Sequence, residues 1–552
     1  MCFAKPIIMK LIYTIAITFC SLLFACNNNG QSTNSTSGTS DDEPKKISKR
    51  DYSVTNANAY NDLALDSNNL VRFISENKVP DSIGYRMISL YNARNYHYAW
   101  FSSKGLTEQA LGFWNLHNYE VYTGDTSLKH NTLQKKMDAL TADDDGFTVS
   151  TSDKSIANTE LMLTQHFIQY ALDNYEKGTV KRKELERFIP IKKEDAVALA
   201  DSLINKKHKD NRYFEAVNED YKRVKVQLAR FLNIAKKGGW QSVPVDVKQY
   251  KPGSSSPAIL ALKKRLQVTG ELPATDTSAV YSNELTNAIK QVQQTFGYTP
   301  DGKMSATLIK DLNVPVTNRL QQLLINLNRM RWMPQEPDGK LILVNIPEFV
   351  LHFVDGRNKV FDMNVVVGKE GHNTMMFTGK LSTIVFSPYW NVPPSIVKKE
   401  ILPKMASNPG YLESQNMEIV GNEGGLPAIR QRPGDKNSLG KVKFLFPNSF
   451  NIYFHDTPAK SLFSQDKRAY SHGCIRLSEP DKMAEYLLKD NPNWPTDKIY
   501  AAMNSGEEQS VKIKNPIPVF ITYYTAWVNE TGILNFRDDI YGRDAELTKK
   551  MF

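Results

Sequence analysis

Cysteine is scarce in this 552-residue chain: there are four, at positions 2, 20, 26 and 474. Three of them fall within the first 26 residues, so residues 27–552 hold a single thiol and cannot form a disulfide among themselves. Long hydrophobic runs are lacking too. The apolar stretch that follows Lys10 covers about 14 residues, short of the roughly 20 that a membrane helix needs. Neither sign of charge dominates: 69 Lys and Arg stand against 59 Asp and Glu, and the net +10 is spread thinly over the whole length. No dense basic stripe of the kind that grips nucleic acid is present, whereas an acidic polymer remains a compatible neighbour. With 29 glycines, 27 prolines and 41% hydrophobic residues the composition is neither collagenous nor low in complexity. It describes folded, soluble domains, and the length calls for two to four of them.

The N-terminus gives an address. Met9-Lys10 followed by the short apolar run has the form of a signal peptide, with Met9 a better start than Met1. The run ends Leu23-Phe24-Ala25-Cys26, which resembles the lipobox of bacterial lipoproteins. That resemblance implies a signal peptide over 1–25, a lipid on Cys26, anchorage to a membrane, and export to the cell envelope, facing the periplasm. An ordinary secretory signal is the alternative. Residues 26–50, rich in Asn, Ser, Thr and Gly, cannot bury a core and read as a flexible tether. Cys474 would then be the only thiol left unmodified, either a reactive group or an inert one.

Residues 51–245 are patterned for helices. Tyr221, Val224, Leu228, Phe231 and Leu232 fall on one helical face that Gly238-Gly239 stops, and another helix near 160–177 is expected to end at Gly178. His97, His117, His130, His166 and His208 are scattered singly, so the region reads as a scaffold without a catalytic cluster. A Pro/Gly/Ser stretch at 251–257 marks a boundary. Beyond it, Ile259, Leu262 and Leu266 form one stripe and Leu285, Ile289, Val292 and Phe296 another, predicting a three-helix unit over 257–315. Between 338 and 545, strand-like runs at 341–346, 349–354, 360–367, 382–386, 443–446 and 451–454 predict a β-rich domain. An insertion at about 395–440, read as a Lys-rich helix and loops, interrupts it as either a lid or a surface elaboration. The fold class expected is multidomain α+β.

One segment concentrates chemistry. His455-Asp456-Thr457, then Tyr470-Ser471-His472-Gly473-Cys474-Ile475-Arg476-Leu477, puts two histidines and the lone thiol within 20 residues. A cysteine near its ordinary pKa is mostly thiol at neutral pH and needs a basic partner to act as a nucleophile. Gly473 permits a sharp turn that would expose its own N–H and that of Cys474 to a developing oxyanion. Ser478 to Asp481 reads as a capping box opening a helix that carries Met483, Tyr486 and Leu487, with the thiol in a tight loop between a strand and that helix. Two bland readings compete. In one, Cys474 is inert core, against the polarity of the run around it; in the other, His455, His472 and Cys474 ligate zinc, against the lack of a fourth ligand.

Ser471-His472-Gly473-Cys474, preceded by His455, resembles the signature of the L,D-transpeptidases with a YkuD-type catalytic domain. Asp301, Gly302 and Thr307, after Phe296, resemble the small peptidoglycan-binding domain type 1. The stretches Tyr96 to Phe101, Tyr389 to Pro394, Val519 to Trp527 and Phe536 to Gly542 are similar to the large YcbB-like subgroup. The resemblance implies Cys474 as nucleophile and His455 as its base, oriented by the Asp456 carbonyl. Gly473 and Cys474 N–H would form the oxyanion hole, His472 would line the site with Ser471, and Arg476, Tyr389, Trp390 and Asn391 would face substrate. It implies cleavage of a peptidoglycan stem tetrapeptide, release of D-alanine and a 3→3 cross-link, with no metal or cofactor and with carbapenems as inhibitors. Water or a free amino acid as acceptor would make an L,D-carboxypeptidase or an exchange enzyme. A non-catalytic wall-binding lipoprotein is the alternative of a different class.

Overall fold

The apolar spacing of the N-terminal half produces helices in the computed structural model of the chain, which describes residues 47–124, 129–141, 148–174, 188–205, 218–356 and 358–552. The expected signal peptide, Cys26, nearly all of the tether, Gly178 and His208 lie outside the described residues. The helices are α1 (Ser67–Glu76), α2 (Asp81–Ala93), α3 (Glu108–Thr123), α4 (Asn131–Thr141), α5 (Lys154–Asn174), α6 (Ala196–Ile204) and α7 (Glu219–Lys236). Several begin on side-chain caps: Asp66, Thr107, Asp195 and Asn218 each accept from a backbone N–H one turn in, worth about 1 kcal/mol apiece. The buried face of α7 is the expected Tyr221, Val224, Leu228, Phe231 and Leu232.

Three further helices, α8 (Pro257–Thr269), α9 (Asn283–Thr295) and α10 (Ala306–Leu312), pack around Ile259, Leu262, Leu266, Leu285, Ile289 and Leu308. The turn between α9 and α10 is clamped by buried Gln293, whose amide donates to Asp301 Oδ1 (2.7 Å) and Lys303 O (2.9 Å) and accepts from Gly302 N–H (2.8 Å). α11 (Val316–Met330) follows, and Trp332 lies just past its end. Its indole is plugged into the scaffold among Trp100, Phe113, Phe167 and Phe188, with ring centroids 5.3–6.3 Å away. The same core takes in Tyr524, Val528 and Phe536 from near the C-terminus, so scaffold and β-rich domain share one apolar interior.

The β-rich domain is built on β1 (Lys340–Asn345), β2 (Val350–Asp355), β3 (Asn358–Gly368), β4 (Phe377–Phe386), β8 (Val442–Leu445), β9 (Phe454–His455), β10 (Ala469–Ser471), β11 (Ile475–Leu477) and β12 (Gln509–Thr522). Within the insertion lie β5 (Trp390–Asn391), β6 (Met417–Glu423) and β7 (Leu426–Gln431). The main sheet runs β10-β3-β11-β9-β8-β4-β12-β1-β2 and closes on itself through a β2–β3 pairing. α12 (Pro480–Leu488) and α13 (Thr496–Met503) pack Met483, Leu488 and Ile499 against its interior. A short β13 (Ala526–Val528) and β14 (Leu534–Phe536) hairpin and a last helix, α14 (Arg543–Met551), complete the chain.

Three expectations change. The insertion holds, besides its helical segment at 394–407, a three-stranded sheet ordered β5-β7-β6, which short, polar, glycine-broken runs had concealed. The capping box at Ser478 to Asp481 does not form: α12 starts from Glu479 without a side-chain cap. Cys474 consequently sits between the strands β10 and β11, with the helix one element further on. The scaffold histidines are not all solitary. His166 meets His117 edge-on at 4.8 Å and His130 at 6.1 Å, although among the described residues no group of His, Cys, Asp and Glu is placed to hold a metal ion. Among the described residues no helix is long and apolar enough to cross a membrane.

Candidate active site

Two short strands bring the motif together. β9 and β11 run parallel with Phe454 opposite Ile475 and His455 opposite Arg476. Ile475 N–H donates to Tyr453 O (3.2 Å), which extends the register by one residue to Tyr453 opposite Cys474. Because side chains alternate along a strand, Tyr453, His455, Cys474 and Arg476 share one face. β8 adds Lys443 opposite His455 on the other side.

His455 is buried, and its Nδ1 lies 2.5 Å from Asp456 O. A carbonyl only accepts, so Nδ1 carries the proton and Nε2 keeps its lone pair for a proton from elsewhere. Burial, reinforced by the Arg476 and Lys443 charges, pushes this imidazole down to about 3, against the opposing pull of the Asp456 hydrogen bond. At neutral pH the His455 imidazole is therefore uncharged. The partly buried Cys474 thiol donates to Asn451 O at 3.7 Å. The Tyr453 phenol hydrogen-bonds to Cys474, and burial together with that sulfur raises its pKa well above the ordinary value.

The loop around the thiol is held from within. Ser471, buried, donates from Oγ to Cys474 O (2.5 Å) and accepts Gly473 N–H (3.2 Å). Of the two expected oxyanion donors, Gly473 thus spends its N–H on Ser471. Gly473 itself sits at φ +112°, a conformation that side chains disfavour. His472 Nε2 lies 2.6 Å from Glu400 Oε1 in the insertion, and the His372 ring meets it edge-on at 4.9 Å. Burial lowers the pKa of the Arg476 guanidinium, and among the described residues its Nε has no hydrogen-bond partner. The remaining expected residues stand at the root of the insertion. Tyr389 lies under the Arg430 guanidinium (4.1 Å), Trp390 packs into the insertion's own apolar cluster, and Asn391 is exposed on β5. His352 is elsewhere, on β2 between Glu348 and Asp362, whose hydrogen bonds and charges overcome its burial and raise it to about 10.

Sequence reasoning missed Tyr453, Lys443, Asn451 and Glu400. Tyr453 was within reach, since a residue two before His455 on a strand must share its face. Glu400 lay in an insertion whose docking onto the loop no local pattern announces.

Comparison with known proteins identifies the domains that make up the chain. Residues 339–499 match the family model of the L,D-transpeptidase catalytic domain (YkuD), residues 85–228 that of a scaffold domain, and residues 255–311 that of the "Putative peptidoglycan binding domain". A curated protein of Haemophilus influenzae named "Putative L,D-transpeptidase" is 34% identical over 247 residues, which cover 42% of this chain and 50% of that protein. The chain thus spans about half the length of that relative. A solved L,D-transpeptidase from Stackebrandtia nassauensis is 14% identical, covering 51% of this chain and 97% of the other at a TM-score of 0.21. L,D-transpeptidase 3 from Mycobacterium tuberculosis, in complex with a faropenem-derived adduct, is 12% identical, covering 33% and 60% at a TM-score of 0.17. At TM-scores this low the two structural likenesses carry no weight. The family matches do: the chain carries a YkuD-type L,D-transpeptidase catalytic domain, preceded by a helical scaffold domain and a peptidoglycan-binding domain.

Proposed function

We propose that this protein is a peptidoglycan L,D-transpeptidase of the cell envelope that forms 3→3 cross-links through a thioester on Cys474. The observation that carries the reading is the shared face of Tyr453, His455 and Cys474, with His455 Nδ1–H committed to Asp456 O and Nε2 left basic. Cys474 turns from Asn451 O toward His455 Nε2 and gives up its proton. The thiolate adds to the carbonyl carbon between the third stem residue and D-alanine, and the oxyanion forms against Cys474 N–H and the Tyr453 phenol. Collapse breaks the C–N bond, His455 protonates the leaving nitrogen, and D-alanine departs. A side-chain amine from the third residue of a neighbouring stem then attacks the thioester, losing its proton through His455 to the departing thiolate. An uncharged imidazole can accept a proton at each attack and return it at each collapse.

Within this reading the module at 257–315 holds the wall, Arg476 faces the stem peptide, and Cys26 carries the lipid that keeps the protein at a membrane surface. Carbapenems, as strained amides, acylate the same sulfur. The test is incubation of purified protein with disaccharide-tetrapeptide and product identification by mass. The expected product is a dimer lighter by one D-alanine, absent with Cys474→Ala. D-Alanine release that persists in a folded Cys474→Ala protein overturns the assignment.

A further inference from the structure

The peptide unit between Gly473 and Cys474 is gripped from a segment about a hundred residues away. Thr374 is completely buried. Its hydroxyl donates to Gly473 O (2.7 Å) and accepts Gly368 N–H (2.9 Å), so both hydrogen-bonding roles of the group are filled. Thr374 N–H donates to the Tyr541 hydroxyl (3.3 Å), which in turn donates to Gly368 O (2.6 Å). Thr374 and Tyr541 thereby close the chain from 368 to 374 into a tight loop packed on the motif. A Cβ on Gly368 would stand 1.9 Å from His372 O, so only glycine fits there.

Tyr541 is held in its turn. Its N–H donates to the Tyr523 hydroxyl (2.9 Å), Tyr523 donates to Asp539 (2.7 Å), and the two rings stack at 5.6 Å. The Arg329 guanidinium lies over the Tyr523 ring at 5.1 Å and pairs with Glu108 of the scaffold (2.6 Å) and Asp544 of α14 (2.5 Å). A continuous set of contacts therefore runs from the helical scaffold to the carbonyl of Gly473.

That carbonyl belongs to the same planar unit as Cys474 N–H, and in a trans peptide the two point in opposite directions. Fixing the oxygen fixes the hydrogen. Gly473, at φ +112° and without a side chain, offers little resistance to rotation of this unit, so its orientation has to come from outside. We propose that Thr374, braced by Tyr541, is a positioning residue that aims Cys474 N–H at the oxyanion of the tetrahedral intermediate. The proposal rests on the acyl-transfer reading given above. It adds that the oxyanion donor is set by a side chain outside the His/Cys motif.

The test separates two reactions of one sulfur. Alkylation of Cys474 by iodoacetamide displaces iodide at an sp³ carbon and creates no oxyanion, whereas acylation by a carbapenem or by disaccharide-tetrapeptide does. Thr374→Val keeps the shape and removes the hydroxyl; its acylation rate constant is expected to fall at least about tenfold, with the alkylation rate unchanged. Thr374→Ser, which restores the hydroxyl, should recover most of the loss. Tyr541→Phe, which keeps the stacked ring, should show a smaller selective loss, and it carries the test if the valine variant does not fold. Equal losses of acylation and alkylation, or no loss in either, overturn the proposal. Failure of the underlying reading looks different: Cys474 of the unmodified protein would then alkylate but never acylate.

Discussion

His472 Nε2 and Glu400 Oε1 lie 2.6 Å apart, tying the loop that carries the thiol to the helical segment of the insertion. Both side chains are about one-third exposed, so the pair contributes no more than about 1 kcal/mol to stability. Its larger effect is geometric, because His472 adjoins Gly473 and shares its loop with Ser471. Glu400→Gln is expected to leave the thermal midpoint within a few degrees while slowing acylation by a stem tetrapeptide several-fold. Side-by-side thermal melts and intact-mass time courses check this, and an unchanged acylation rate would sink it.

The low pKa of His455 predicts an unusual pH profile. Burial first, then Arg476 and Lys443, hold it near 3, so the imidazole is already neutral at pH 5. The acylation rate should show no inflection near the ordinary histidine value of about 6.5. Arg476→Gln removes a positive charge that disfavours the imidazolium, so it should raise the His455 pKa and bring an acid limb into view between roughly pH 4 and 6. Rates from pH 4 to 8 for both proteins decide the matter. An inflection near 6.5 in the unsubstituted enzyme would contradict the assigned neutral base.

Tyr453→Phe isolates the phenol that hydrogen-bonds to Cys474. The ring stays, so the strand should keep its packing against the His455 ring, whose centroid is 5.8 Å away. Loss of a donor aimed at the developing charge typically costs about 10²-fold. A Tyr453→Phe protein that acylates at an undiminished rate would remove the phenol from the mechanism.

The motif residues were legible because their chemistry is local. His455 and Cys474 are 19 positions apart, and beside His-Gly the one thiol of residues 27–552 marks itself. Helices were legible where a stripe such as Tyr221, Val224 and Leu228 repeats over several turns. What could not be read is whatever depends on distant segments meeting. Nothing local in the sequence marks Trp332, just past the end of α11, as a residue that fills the scaffold core. Thr374 sits in a loop with no periodicity, and its meaning arises only when β3 and β11 pair and bring Gly473 above it. The insertion's β6 and β7 were hidden because a small exposed sheet needs no apolar alternation to exist; Ile419 and Val420 are more than half exposed.

Gln293 offers a way to weaken the peptidoglycan-binding module without deleting it. Deletion would also remove Phe296, which stacks on Phe536, and Thr295 O, which accepts from Arg537, and so would damage the domain it is meant to spare. Gln293→Ala strips three hydrogen bonds from the Asp301-Gly302 turn and leaves buried polar groups unmet, at about 1–3 kcal/mol. Pull-down on purified sacculi should fall, while turnover of a small soluble donor holds. Undiminished wall binding would detach this turn from recognition.

Two buried groups should give stability pH slopes of opposite sign. Glu160 is fully buried, accepts from Ala99 N–H (2.6 Å), Trp100 N–H (2.9 Å) and the Tyr91 hydroxyl (2.9 Å), and is pushed up to about 7 by burial. The folded state then holds a proton that the unfolded chain releases, so this contribution is complete below the ordinary 4.5 and is lost as pH rises through 7. His455 runs the other way. Its folded value of about 3 lies below the ordinary 6.5, so its contribution is complete above 6.5 and is lost as pH falls through 3. Each changes stability by about 1.4 kcal/mol per pH unit inside its window, and between 4.5 and 6.5 the two nearly cancel. Because the scaffold and the β-rich domain share the Trp332 core, both groups are expected to act on one unfolding transition. Glu160→Gln should therefore tilt the profile of denaturant midpoints upward between pH 4.5 and 6.5 relative to the unsubstituted protein. His455→Ala should show the reverse, a downward tilt relative to the unsubstituted protein between pH 4.5 and 6.5. Profiles in both variants that run parallel to that of the unsubstituted protein would mean that neither group carries the shifted pKa.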